Sequence, residues 1–266
     1  MTIAILIVLI ELFTFKVAKS LTNIILKLYP MSRNSIKIFC LPFAGGSSYS
    51  YQRFDKFFIN NHQLLCPELP GRGRRSSELL KKNIHDIVDD IFNSIKNQLL
   101  EPYAIYGHSM GALLGYLLTL RILQEGKVAP LHLFFSGREA PSLKNKKELR
   151  YNLPQSEFYQ ILNEMGGCPK EILSNVDMME FFEPIIRADF EAVETYAYTK
   201  QEPFDIPIDI MVGHSEGILE DDIKGWQDET IQNLQVTYFK GDHFFIYENE
   251  EELVNLISKK LNIYGK

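Results

Sequence analysis

The segment from Tyr103 to Gln124 constrains the fold more than any other. Tyr103-Ala-Ile-Tyr106 is an apolar run of strand length, and Ala112–Gln124 (ALLGYLLTLRILQ) carries an apolar helical face. Only Gly107-His-Ser-Met-Gly111 lies between them, so the chain must pass from strand to helix through a tight, strained turn. Gly107 and Gly111 lack a Cβ, which leaves room for that turn and lets the Ser109 hydroxyl stand clear of the sheet edge. The start of the helix adds unpaired N–H groups and partial positive charge where an oxyanion would form. Ser109 is the candidate nucleophile. A turn serine packed between two glycines is the plainer alternative; it explains the glycines but not the parts described next.

The rest of the chain repeats this alternation. Strand and helix patterns fall at 36–41, 49–60, 63–68, 84–100, 103–106, 110–125, 131–135, 207–213 and 235–240, with a closing helix from Glu248 to Leu261. In the helix at 84–100, Ile84, Ile87, Val88, Ile91, Phe92, Ile95 and Leu99 form one stripe, which is core. The expectation is an α/β fold: a mostly parallel central sheet with helices on both faces. At 266 residues and 45% hydrophobic, the chain can bury a full core without splitting.

A serine needs a base, and the base needs an orienting acid. When the serine sits on a strand-to-helix elbow, the chain order is Ser, acid, His. Of six histidines, His62 and His85 precede the serine and His108 lies inside the elbow. His132 belongs to an apolar run, and His214 precedes any acid that would serve it. His243 remains, in the loop between the last strand and the last helix, and is the candidate base. The loop after Gly213 offers Glu216, three residues past the strand-ending glycine, and then Glu220, Asp221 and Asp222. Glu216 is the first candidate. Asp221 and Asp222 look more like the acidic first turn of a helix running through Trp226, and remain the alternative. The loop Pro42-Phe-Ala-Gly-Gly-Ser-Ser48 follows an early strand and can bring a backbone N–H beside the elbow. The expected oxyanion hole is the N–H groups of Ala44 and Met110; a plain Gly-Gly turn is the alternative.

Leu41-Pro-Phe-Ala-Gly-Gly46, Pro67-Glu-Leu-Pro-Gly-Arg-Gly73, Tyr106-Gly-His-Ser-Met-Gly111, Ser136-Gly-Arg-Glu-Ala-Pro141, Ile186-Arg-Ala-Asp-Phe190 and Gly241-Asp-His243 occur in this order. In these six blocks, from about Ile36 to Leu261, the chain resembles the type II thioesterases of nonribosomal peptide and polyketide assembly lines. That family includes fatty-acid-releasing thioesterases of similar size. The resemblance implies an α/β-hydrolase that needs no cofactor of its own and cleaves acyl or aminoacyl thioesters from the phosphopantetheine arm of acyl or peptidyl carrier proteins. Within that class it implies clearing of stalled or misprimed groups rather than release of a finished product. The family carries Asp where this chain has Glu216, ten residues before Trp226. A medium-chain fatty acyl thioesterase, or an oxygen-ester hydrolase of lipids or small esters using the same triad, is the alternative.

The segment from about 142 to 203 breaks the alternation with short amphipathic helices through Phe158, Tyr159, Leu162 and Met165, then Phe181, Phe182, Ile185 and Ile186. An insertion between the sixth and seventh strands of a hydrolase usually forms a lid over the nucleophile; a helical decoration away from the site is the alternative. Residues 31–266 are read as the catalytic domain. Residues 1–30 are an apolar extension, interrupted by Glu11, Lys16 and Lys19 well short of the ~20 residues that span a membrane. A start codon upstream of the native Met31 is the first explanation. A weakly membrane-associating segment is the second, with Lys16, Lys19, Lys27, Arg33 and Lys37 keeping the catalytic side cytoplasmic. Both readings expect a cytoplasmic enzyme.

Three cysteines, Cys40, Cys66 and Cys168, suit a reducing compartment. No His/Cys/carboxylate spacing resembles a metal site. A net charge of −6 argues against nucleic acid as a partner. A monomer is expected. Carrier proteins are often acidic as well, so docking needs a local basic or apolar patch. Arg72, Arg74, Arg75, Lys81 and Lys82 either meet a phosphopantetheine phosphate or carrier helix or form a solvated charge run.

Overall fold

A computed structural model describes residues 35–58, 62–143, 149–166, 173 and 175–265. The N-terminal extension, Lys144–Glu148 and Cys168 lie outside these residues. Among them, six strands form one parallel sheet: β1 (Lys37–Leu41), β2 (Gln63–Leu65), β3 (Tyr103–His108), β4 (Leu133–Ser136), β5 (Ile208–Gly213) and β6 (Gln235–Phe239), in the order β2-β1-β3-β4-β5-β6.

Period-two patterning sorts the side chains between two faces. Phe39, Leu41, Tyr103, Ile105, Leu133, Phe135, Ile208, Ile210 and Val212 join one core cluster with α1 (Ile84–Ile95), α2 (Met110–Gln124) and Trp226. Ile38, Cys40, Ala104, Tyr106, Phe134, Met211 and Phe239 face a second cluster, built on Tyr51, Phe54 and the C-terminal helices. Both faces are covered, as a parallel sheet requires. The α/β expectation therefore holds, as an α/β-hydrolase sheet with helices on both faces.

Several boundaries differ from the sequence reading. The helix expected at 49–60 is a 3-10 turn at Gln52–Phe57, and the strand at 63–68 stops at Leu65. β3 runs two residues further than expected, to His108, because its register with β1 and β4 continues into the elbow. The closing helix breaks at Asn249, where the backbone leaves the helical region (φ −123°, ψ 35°), giving α6 (Phe245–Glu248) and α7 (Glu250–Leu261). The insertion falls between the fourth and fifth strands of this sheet. It carries α3 (Gln155–Met165) and α4 (Val176–Glu194), whose Phe158, Leu162, Met179, Ile186 and Phe190 make a third, smaller core over Ala44. No helix among the described residues is long and apolar enough to cross a membrane.

This topology places the site. After β1 the chain steps outward to β2, then returns to the other side of β1 and continues through β3 to β6. The carboxyl ends of β1 and β3 thus flank the point where strand order reverses, the crevice in which open α/β sheets bind ligands. Leu41 and Gly107 are register partners, so the loop after β1 and the elbow after β3 leave the sheet side by side.

Candidate active site

Ser109 follows β3 and caps the start of α2 with φ 56° and ψ −114°, the one positive φ at a non-glycine among the described residues. Such a conformation costs on the order of 1–3 kcal/mol and persists only when its surroundings enforce it. They do so here: the Ser109 N–H donates to Ser136 O at 2.8 Å, and both flanking glycines are sterically required. A Cβ on Gly107 would lie 2.0 Å from Gly111 O, and one on Gly111 would lie 2.1 Å from Leu41 O. Met110 is the first residue of α2, and its N–H has no acceptor one turn earlier in the helix.

His243 and Glu216 reach the same edge from neighbouring strands. Gly213 and Phe239 are the last paired residues of β5 and β6, and main-chain bonds dock the loops beyond them: His214 N–H donates to Phe239 O at 2.8 Å and Ser215 N–H to Gly241 O at 2.9 Å. The His243 Nδ1–H donates to Glu216 Oε1 at 2.5 Å. The Glu216 side chain is 2% exposed, and its other oxygen accepts the Gly213 N–H at 3.0 Å. The carboxylate therefore folds back against its own loop, which absorbs the extra methylene of Glu relative to Asp. Asp221 and Asp222 lie instead in the first turn of α5 (Glu220–Lys224), where Asp221 is solvent-exposed and ion-paired with Lys224.

Ser109, His243 and Ala44 line one cavity of about 60 Å³ with Phe43, Phe244 and, from the insertion, Leu162, Met165, Ile186 and Phe190. The insertion is thus a lid and not a remote decoration. Ala44 occupies the second position of a Phe43–Gly46 turn closed by the Gly46 N–H donating to Phe43 O at 2.8 Å. Gly45 supplies the positive φ (79°) that such a turn needs at its third position.

The matching thioesterase domain family spans residues 36–261. The chain belongs to the thioesterase family. It is 34% identical over 87% of its length to the gramicidin S biosynthesis protein GrsT of Aneurinibacillus migulanus, covering 91% of that protein. It is 28% identical over 85% of its length to the medium-chain S-acyl fatty acid synthase thioesterase of Rattus norvegicus, covering 88% of it. The crystal structure of ClbQ from the colibactin NRPS/PKS pathway superposes with a TM-score of 0.82 at 28% identity, over 87% of this chain and 100% of that one. The chain is a type II thioesterase domain of the α/β-hydrolase superfamily. Its reaction is hydrolysis of thioester-linked substrates of the kind held on carrier-protein phosphopantetheine arms.

Three features of this thioesterase escaped the sequence reading. His108, read only as part of the elbow, is fully buried with its ring centroid 4.9 Å from that of His243, and its Nδ1 lies 2.9 Å from Ser136 Oγ. Burial, and then the neighbouring His243 ring, push its pKa well below the ordinary imidazole value, so it stays neutral beside His243. Asp189, noted only as part of a sequence block, is fully buried against the Phe43–Gly46 turn. Three cations of the basic run are taken up in ion pairs, and only that of Arg72 is buried. Arg72 pairs with Asp189, Arg75 with Glu78 and Asp90, and Lys82 with Glu191. Glu78 lies three residues from Arg75, but spacing offered no signal for the Asp189, Asp90 and Glu191 pairings, whose carboxylates lie on other elements.

Proposed function

We propose that this thioesterase removes stalled or misprimed acyl or aminoacyl groups from the carrier proteins of nonribosomal peptide or polyketide synthesis, with Ser109, His243 and Glu216 as its catalytic triad. The observation that carries the reading is the 2.5 Å His243–Glu216 bond beside a cavity that also holds the strained Ser109. Accepting the Nδ1 proton leaves the Nε2 lone pair as the basic site. Ser109 Oγ attacks the thioester carbonyl carbon while His243 takes its proton, and Glu216 stabilises the imidazolium. The oxyanion accepts hydrogen bonds from the Ala44 and Met110 N–H groups. Collapse breaks the carbon–sulfur bond, and His243 returns its proton to the departing pantetheine thiol. A water deprotonated by His243 then attacks the acyl-enzyme, and the second collapse returns the proton to Ser109 and releases the carboxylic acid.

Leu162, Met165, Ile186 and Phe190 of the lid helices supply an apolar wall of the cavity that holds Ser109. The apolar faces of the lid helices therefore meet the acyl chain. Similarity to a medium-chain fatty acid synthase thioesterase supports a second reading, in which the acyl group is a fatty chain of intermediate length. Turnover on carrier-protein thioesters bearing acetyl, aminoacyl and decanoyl groups, beside a decanoyl oxygen ester, separates the readings. Broad activity on short and aminoacyl thioesters supports clearing. A strong decanoyl preference supports the fatty acyl reading, and equal rates on the oxygen ester would overturn both.

A further inference from the structure

The loop that carries Ala44 is held by a buried ion pair contributed by two distant parts of the chain. The Gly45 N–H donates to Asp189 Oδ2 at 2.7 Å. Arg72 forks onto the same carboxylate, with Nη1 at 2.6 Å from Oδ2 and Nη2 at 2.7 Å from Oδ1, and its Nη1 also donates to Gly46 O at 3.2 Å. The side chains of Arg72 and Asp189 are 4% and 0% exposed. Glu68, from the same loop as Arg72, adds a second anchor by accepting the Ser48 N–H at 3.0 Å and the Ser48 hydroxyl at 2.7 Å.

Asp189 lies on α4, one turn beyond Ile186. Ile186 lines the cavity, and its Cγ1 sits 2.8 Å from where a Gly45 Cβ would be. One helix therefore roofs the acyl cavity and grips the peptide next to Ala44. A buried charge pair is not needed for stability alone, since apolar residues of similar volume often serve as well. A bidentate pair does supply directional control of two consecutive backbone groups, which apolar packing cannot.

We propose that Arg72 and Asp189 are positioning residues that set the oxyanion loop, so that the Ala44 N–H is correctly aimed only when lid helix α4 is seated. The inference rests on the Ser109–Ala44–Met110 reading of the site. An oxyanion donor acts through sub-ångström placement, so loosening this loop slows chemistry more than it weakens ground-state binding.

The test compares the wild type with Arg72→Met/Asp189→Leu, which replaces the pair by apolar groups, and with the near-isosteric Asp189→Asn. The substrate is an octanoyl N-acetylcysteamine thioester. Octylboronic acid, which forms a tetrahedral anion on a serine, reports the oxyanion hole, and the matching thioether reports ground-state binding. The expected result for folded variants is a kcat lower by on the order of 10–100-fold, with KM and thioether affinity within about threefold of wild type. Boronate affinity falls alongside kcat. If the double variant fails to fold, Asp189→Asn carries the same comparison. Wild-type kcat and boronate affinity in a folded variant would overturn the proposal, as would equal losses of boronate and thioether affinity. Octylboronic acid inhibition of the wild type that survives Ser109→Ala would instead strike the site reading itself.

Discussion

Two histidine–carboxylate pairs of nearly equal length sit at opposite edges of the sheet. At the carboxyl edge, His243 Nδ1 meets Glu216 at 2.5 Å; at the amino edge, His132 Nε2 meets Asp209 at 2.6 Å. The His243 ring opens onto a cavity shared with a serine. His132 is enclosed: its ring stacks on Phe134, its other nitrogen lies 3.3 Å from the Tyr264 hydroxyl, and Asp209 also takes Lys260 at 2.8 Å. Both its nitrogens are occupied, and Tyr264 and Lys260 come from the end of the chain, so the second pair ties the C-terminal segment to the sheet. The same chemical pair is read as a base at one edge and a clamp at the other. The difference lies in what the second ring nitrogen faces.

Removing the proposed nucleophile or the proposed base should give the largest effect. Ser109→Ala and His243→Ala should each cut kcat by about 10³-fold or more, and the double variant should be little worse, because the triad acts as a unit. His132→Ala should leave kcat per folded molecule near wild type. Single-turnover assays on contamination-free protein check both; comparable kcat losses from His132→Ala and His243→Ala would erase the distinction between the edges.

Glu216→Gln follows, with a loss of ~10²–10⁴ in kcat, since the charge that stabilises the imidazolium is gone. Glu216→Asp tests whether the loop tolerates the shorter side chain, and Asp222→Asn should change the rate little. An inactive Asp222→Asn beside an active Glu216→Gln would reassign the acid.

Asp209→Asn should act on stability instead. Weakening this buried pair costs about 2–3 kcal/mol, or roughly 5–10 °C in Tm, with kcat unchanged below the transition. Thermal melts beside activity at 20 °C measure the two separately.

The smallest expected effect is in pH dependence. Burial raises the Asp209 carboxyl, but hydrogen bonds from His132 and Lys260 outweigh it and hold the group below its ordinary 3.8. Its contribution is therefore present above about pH 4 and disappears as pH falls below that value. Denaturant midpoints of the wild type and Asp209→Asn should converge in that acid range. His108 has a lowered pKa as a base, so the unfolded chain takes up a proton that the folded one refuses. Stability from this source is complete above the ordinary imidazole value of about 6.5 and declines as pH drops below it. A wild-type midpoint that rose on acidification from pH 7 to pH 5 would contradict this.

The elbow, the alternating elements and the position of His243 were legible in the sequence. Their causes are local: strand and helix periods, the clash that a Cβ would make at Gly107 and Gly111, and the order in which motifs follow one another. The 142–203 insertion was visible as a break in that rhythm, although its place over Ser109 was not. Sequence left several carboxylates open after Gly213, and only the docking of the loops beyond β5 and β6 brings Glu216 against His243. It also read Arg72 as one cation in a basic run, whereas the fold buries it against Asp189, 117 residues away. Local sterics and periodicity act between neighbours in the chain, so sequence alone determined the elements and the elbow. Ion pairs and cavity linings join residues whose nearness depends on strand order and on how loops settle, so the tertiary structure decided them.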